Sequence, residues 1–167
     1  AVNDLKWLGY LSTTGVYGDQ QGAWVDERTR CTPTSDRGYR RLAAEQGWMQ
    51  HHKDSAVPVH LFRLPGIYGP GRSALDTIRQ GRTRRIHKKG QVFCRIHVDD
   101  LVTGLAASMA KPRPGAIYNL TDDEPAPPQD ITAYAATLLG LEPEPLIPFE
   151  DADLTPMGRS FYGECKR

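Results

Sequence analysis

Cysteine is scarce in this sequence and scattered where it occurs. Cys31, Cys94 and Cys165 form no CxxC pair. A disulfide framework and a zinc site are therefore not expected, and a reducing compartment fits, either cytoplasm or an organelle matrix or stroma. Long apolar runs are missing too: none approaches the ~18 residues of a membrane-spanning helix. Neither sign of charge dominates, because 21 Lys and Arg stand against 20 Asp and Glu. That balance gives no global signal for nucleic acid. The dinucleotide fingerprint GxGxxG does not occur. His97-x-Asp99-Asp100 has the donor types of a metal site, but no further ligand at a defined spacing, so a capped helix start is expected and no metal. What remains is ordinary: 39% hydrophobic and 25% charged residues in a chain of 167. That is enough for one domain with a substantial core.

The chain is organised around Leu11-Ser12-Thr13-Thr14-Gly15-Val16-Tyr17-Gly18-Asp19. Residues 5–11 read as a buried strand, so the hydroxyl cluster falls at a strand's C-terminal end. In open α/β sheets ligands gather on that rim, and hydroxyls there can bond a substrate oxygen. Residues 12–35 form a long connection, with Asp26 and Glu27 expected as solvated loop carboxylates. Ser35 or Asp36 caps a helix through about Gln50, whose Leu42, Ala43, Gln46 and Met49 make a mostly apolar stripe. Pro58–Leu64 is a second strand, followed by a glycine-rich loop, Gly66 to Arg72, and a two-turn helix, Ala74–Gln80. Residues 81–90 are basic and read as a solvated face or hairpin, with a phosphate or acidic ligand as the sharper alternative. A strand at 91–98, a helix from Asp99 to Met109, a short strand at 116–120, a helix at 129–139 and a strand-like stretch at 145–149 complete the pattern. Strands alternating with helices predict an α/β fold with a parallel sheet.

Gly66-x-x-x-x-Gly71-Arg72-Ser73 is one residue from a phosphate-binding P-loop. Arg72 stands where the phosphate-reaching Lys belongs, and Pro70 removes an N–H from a loop that must donate them. A rigid turn packed against a ligand is the better reading.

Six stretches taken in order resemble the NAD-dependent epimerase/dehydratase family, the extended branch of the short-chain dehydrogenases. They are Tyr10 to Gly18, Asp26-Glu27, Pro33 with the following helix and its Ala44-Glu45, Phe62 to Arg72, Ile96 to Asp100, and Tyr118 to Asp122. The resemblance implies an incomplete Rossmann fold, a doubly wound parallel sheet with a smaller C-terminal substrate lobe. Residues 1–65 would be the second half of the Rossmann core, and 66–167 the lobe interleaved with the remaining core elements. The family's N-terminal dinucleotide-loop half is not in this sequence, which is expected to be a piece of a longer protein.

Carried over by resemblance, Thr13 matches the catalytic Ser/Thr that bonds the substrate oxygen. Ser12, Arg41, Pro65, Gly66 and Ile67 fall on the cofactor side, with NAD or NADP implied. Tyr17, Arg37, Tyr68, Arg72 and His97 fall on the side of a small-molecule substrate. The departure is at the family's Tyr-x-x-x-Lys pair, which aligns with Arg37 and Arg41. A guanidinium does not release a proton at ordinary pH, so it cannot replace the phenol. Tyr17 or Tyr68 could reach the site from a loop. Two functions follow. One is an atypical NAD(P)-binding epimerase/dehydratase-like protein acting on a small or nucleotide-linked substrate. The other is a catalytically inactive subunit with a structural or regulatory role. A homodimer or a place in a larger complex is compatible with either.

Overall fold

A computed structural model describes residues 4–167. In chain order, strand β1 (Leu8–Thr13) runs into a 3-10 turn (Thr14–Tyr17), and a long irregular segment leads to helix α1 (Asp36–Ser55). Strand β2 (Val59–Leu64), strand β3 (Gly66–Tyr68), helix α2 (Ala74–Arg79), strand β4 (Arg85–His87) and strand β5 (Arg95–His97) follow. Helix α3 (Val98–Ala110), strand β6 (Ile117–Asn119), helix α4 (Pro128–Leu138), strand β7 (Leu146–Pro148), a second 3-10 turn (Phe149–Asp151) and helix α5 (Pro156–Tyr162) complete the order. The fold is α/β, and every strand pair among the described residues is parallel.

The main sheet has the order β1-β2-β6. All six residues of the middle strand, β2, are buried. Side chains alternate across a pleat, so β2 feeds two cores. Val59 and Leu61 pack with Val57, Tyr10, Trp48, Met49 and Ile117 on the α1 side. Phe62 and Leu64 pack with Ile96, Leu101, Leu105, Tyr118 and Ile67 on the α3 side. A strand buried on both faces reads as nearly continuous apolar sequence. His60 and Arg63 break that run, and both are taken up internally. His60 stacks on Trp7 and accepts a hydrogen bond from the Arg113 N–H at 2.8 Å.

Several boundaries differ from the sequence reading, each for a local reason. β1 runs on to Thr13 because Ser12 and Thr13 pair with Arg63 and Leu64 of β2. Ser35, not Asp36, is the N-cap of α1, its hydroxyl accepting from the Gly38 N–H. The helix continues past Gln50 to Ser55, with His52 and Lys53 in a last turn that favours positive charge, and ends on Ala56 in the left-handed region at φ 55°. The first three residues of the glycine-rich loop are strand β3, paired with β5. The basic stretch is no hairpin: its Arg85–His87 pairs in parallel with β7. Arg84, Arg85 and Lys88 donate to the carbonyls of Asp153, Glu144 and Tyr162. Of the strand expected at 91–98 only Arg95–His97 forms. The C-terminal residues pack back on the long connection, where Val25 and Ala23 exchange backbone hydrogen bonds with Arg167.

Candidate functional site

The carboxyl ends of the strands carry most of the residues singled out from the sequence. Thr13 and Leu64 are register partners on adjacent parallel strands, so the Thr13 hydroxyl and the Pro65-Gly66 bend share one rim, about one strand spacing apart. Thr13 is half-buried and caps the 3-10 turn, its Oγ1 accepting the Gly15 N–H at 3.1 Å. With the oxygen fixed from behind, the hydroxyl proton is left to donate. Gly66 is exposed and Pro65 half-buried. Together with Ile67 they form a small, mostly apolar ledge next to Thr13.

The α1 helix comes unusually close to this turn. A Cβ at Gly38 would lie 2.8 Å from Pro33 Cβ and 3.0 Å from the Gly15 carbonyl oxygen. Gly18, at the end of the turn, has φ +67°, and a Cβ there would meet the Thr32 oxygen at 1.9 Å. Only glycine fits both positions.

Ser12 points away from Thr13, as strand alternation requires, into a buried polar cluster beneath the rim. Its hydroxyl donates to Glu45 Oε1 at 2.5 Å. Glu45 also receives Arg63, with Nη2 to Oε2 at 2.7 Å and Nε to both oxygens at 3.2 Å. The two side chains of this ion pair are 5% and 3% exposed. Arg63 Nη1 donates to the Tyr17 hydroxyl at 2.9 Å, which donates to Asn119 Oδ1 at 2.8 Å. Asn119 closes β6, and its N–H donates to Glu27 Oε1 at 2.7 Å. Burial works against the charge on Arg63, but its bonds to Glu45 and Tyr17 prevail and hold its pKa above the ordinary value. Burial pushes the Tyr17 phenol above its usual 10, against the opposing pull of Arg63.

Tyr17 is thus fully buried with its hydroxyl occupied on both sides, and it leaves no surface for a substrate. Its raised pKa is also the wrong direction for a proton carrier near neutrality. The acid pair in the loop has local partners: Asp26 accepts from the Arg28 and Thr29 N–H groups and the Thr29 hydroxyl, while Glu27 holds Asn119. In the sequence Glu45 stands out only beside Ala44 in a family-like stretch, and Arg63 not at all. The signal was present: a lone Arg inside an apolar strand needs a buried partner.

The remaining residues fall into two groups. Tyr68 and His97 are register partners on β3 and β5, their rings edge to face at 5.2 Å, and Arg72 bridges back to Gly69 beside them. His97 caps α3 through Nδ1, which accepts the Asp99 N–H. Arg37 and Arg41 lie apart from these, at the start of α1. With Tyr10, Asp36 and Arg40 they line an open concavity of about 550 Å³. Arg41 Nη1 donates to the Leu11 carbonyl of β1 at 2.7 Å.

Residues 2–121 match the model of the NAD dependent epimerase/dehydratase family, well over half of the chain. The chain belongs to that family. Among solved structures, a functionally unknown conserved protein from Silicibacter pomeroyi DSS is 59% identical with a TM-score of 0.92, over 97% of this chain and 56% of that one. Protein YeeZ of Escherichia coli (strain K12) is 34% identical over 136 residues, 80% of this chain and 46% of YeeZ. The dTDP-glucose 4,6-dehydratase of Bacillus anthracis str. Ames, solved in complex with NAD, shares the fold at 22% identity and a TM-score of 0.73, over 84% of this chain and 49% of that one. The epimerase/dehydratase segment seen here therefore spans about half the length of the relatives it matches.

Proposed function

We propose that the intact protein binds NAD or NADP and acts on a small or nucleotide-linked substrate, by oxidoreduction or epimerisation. The observation that carries this is the pairing of Thr13 with Leu64, which sets a hydroxyl with a free proton beside the Pro65-Gly66 ledge. The dehydratase of the same fold, from Bacillus anthracis, holds NAD, and the family model itself is named for that cofactor.

The residues present fit the nicotinamide end of such a molecule. Exposed Gly66 lets a flat ring approach the backbone, and half-buried Pro65 and Ile67 give it an apolar neighbour. Arg41 spends one nitrogen on Leu11 and keeps others for a ribose hydroxyl. When bound, the nicotinamide supplies a hydride acceptor or donor. Thr13 donates to the substrate oxygen and orients it. Arg37, exposed and lining the concavity, takes an anionic group of the substrate. Tyr68, Arg72 and His97 belong to the substrate side, in the lobe of residues 66–167. Ser12 is buried with its hydroxyl on Glu45, so it anchors the end of β1 and does not touch the cofactor. Positions 37, 41 and 17 do not carry the proton that accompanies hydride transfer.

That last point favours a second reading, a catalytically inactive subunit with a structural or regulatory role. The two separate by experiment. Titration of the intact protein with NADH and with NADPH is expected to give a saturable change in nicotinamide fluorescence; no change at millimolar cofactor contradicts the first reading and weakens the second. Turnover is then sought with nucleotide sugars and small hydroxy or keto compounds. If it occurs, Thr13→Val lowers kcat at least tenfold, about 1.4 kcal/mol of barrier, and leaves cofactor affinity unchanged. Equal activity in the variant reduces Thr13 to a turn residue.

A further inference from the structure

The buried cluster beneath the rim touches the Thr13 turn at both of its ends. Ser12, immediately before Thr13, donates to Glu45. Tyr17, the last residue of the turn, is held by Arg63, and Arg63 is held by the same Glu45. The chain from Ser12 to Tyr17 is therefore clamped at two points to one carboxylate. The second clamp also reaches β6 through Asn119, and Asn119 is fixed in turn by Glu27. We propose that Glu45, acting through Ser12 on one side and through Arg63 and Tyr17 on the other, is the positioning residue that sets the orientation of the Thr13 hydroxyl.

One general cost and two observations support this over a merely structural ion pair. Burying charge is costly, and an apolar pair of the same size is often as stable or more so. The pair sits under the rim, where Ser12 and Arg63 are themselves register partners. It also has no free ends: Glu45 receives three donors, Arg63 reaches two further acceptors, and the Tyr17 hydroxyl both accepts and donates. A satisfied network of this kind selects one arrangement of the segments it joins. The group whose placement needs such selection is Thr13, since a misplacement of about 1 Å in an orienting donor can cost a hundredfold in rate.

The inference rests on the proposed role of Thr13, and its test keeps the two apart. In the intact protein, Ser12→Ala and Tyr17→Phe each cut one clamp and keep the packing; Glu45→Gln cuts the shared anchor. If the protein turns over, each is expected to lower kcat about tenfold with KM and cofactor affinity within twofold. In a Thr13→Val background the same changes are expected to cost less than twofold, because they act through Thr13. The same fold loss in both backgrounds, or no loss in the parent, overturns the proposal. If the protein shows no turnover, amide hydrogen exchange decides instead. The Gly15 amide, which donates to Thr13, is expected to exchange at least tenfold faster in Tyr17→Phe and Ser12→Ala, with Leu61 and Phe62 of β2 unchanged. Uniform acceleration everywhere, or none at Gly15, overturns it.

Discussion

At the scale of single residues, the decisive feature is a full charge pair where a core is expected. Removing one partner strands the other in a buried site. Arg63→Met and Glu45→Ala are each expected to destabilise by about 3–5 kcal/mol, read as a lowered denaturation midpoint at unchanged slope. Tyr17 gives a second prediction, in alkali. Its folded pKa lies above 10, so the folded state binds the phenolic proton more tightly than the unfolded chain. Tyr17 then stabilises fully below about pH 10, and that contribution is lost as pH rises from there through the folded value. Tyr17→Phe is expected to flatten the alkaline limb of the stability profile relative to the parent; identical limbs would show that Tyr17 ionises as freely as in water. Thr13, given the role proposed for it, is expected to matter for chemistry more than for stability: it is half-buried, and its hydroxyl accepts a bond that closes a turn.

At the scale of elements, local signals carried much of the fold. A cap at Ser35 or Asp36, the apolar β2 and the acidic start of α3 are all legible, because each rests on near neighbours in sequence. What was not legible rests on distant ones. Arg85–His87 is too short and too basic to announce a strand, and it becomes one only by pairing with Leu146–Pro148. Arg63 inside an apolar strand signals a buried partner, but that the partner is Glu45 shows only once β1, β2 and α1 are brought together. The end of α1 is not legible because no glycine marks it. Ala56 does that work in the left-handed region, φ 55°, at a cost of roughly 1 kcal/mol for a residue with a Cβ. Ala56→Gly is therefore expected to be neutral to stabilising by up to about 1 kcal/mol, the relief being partly offset by a more flexible unfolded chain. A clear loss in melting temperature would show that the Ala56 methyl packs usefully.

At the scale of the whole molecule, the described residues form a parallel sheet whose carboxyl rim gathers Thr13, the Pro65-Gly66 ledge and Asn119, with the arginine-lined concavity to one side. β1 is an edge strand here, with Leu11 exposed on it. The chain covers 46% of YeeZ and 56% of its Silicibacter relative, so cofactor binding is a property to measure on the intact protein. The most direct measurement is a structure of that protein with NADH or NADPH bound. The account predicts the nicotinamide ring in van der Waals contact with Pro65 and Gly66, with the Thr13 hydroxyl facing the same space. A ring bound elsewhere, or a ledge still open to solvent beside a bound dinucleotide, would contradict it.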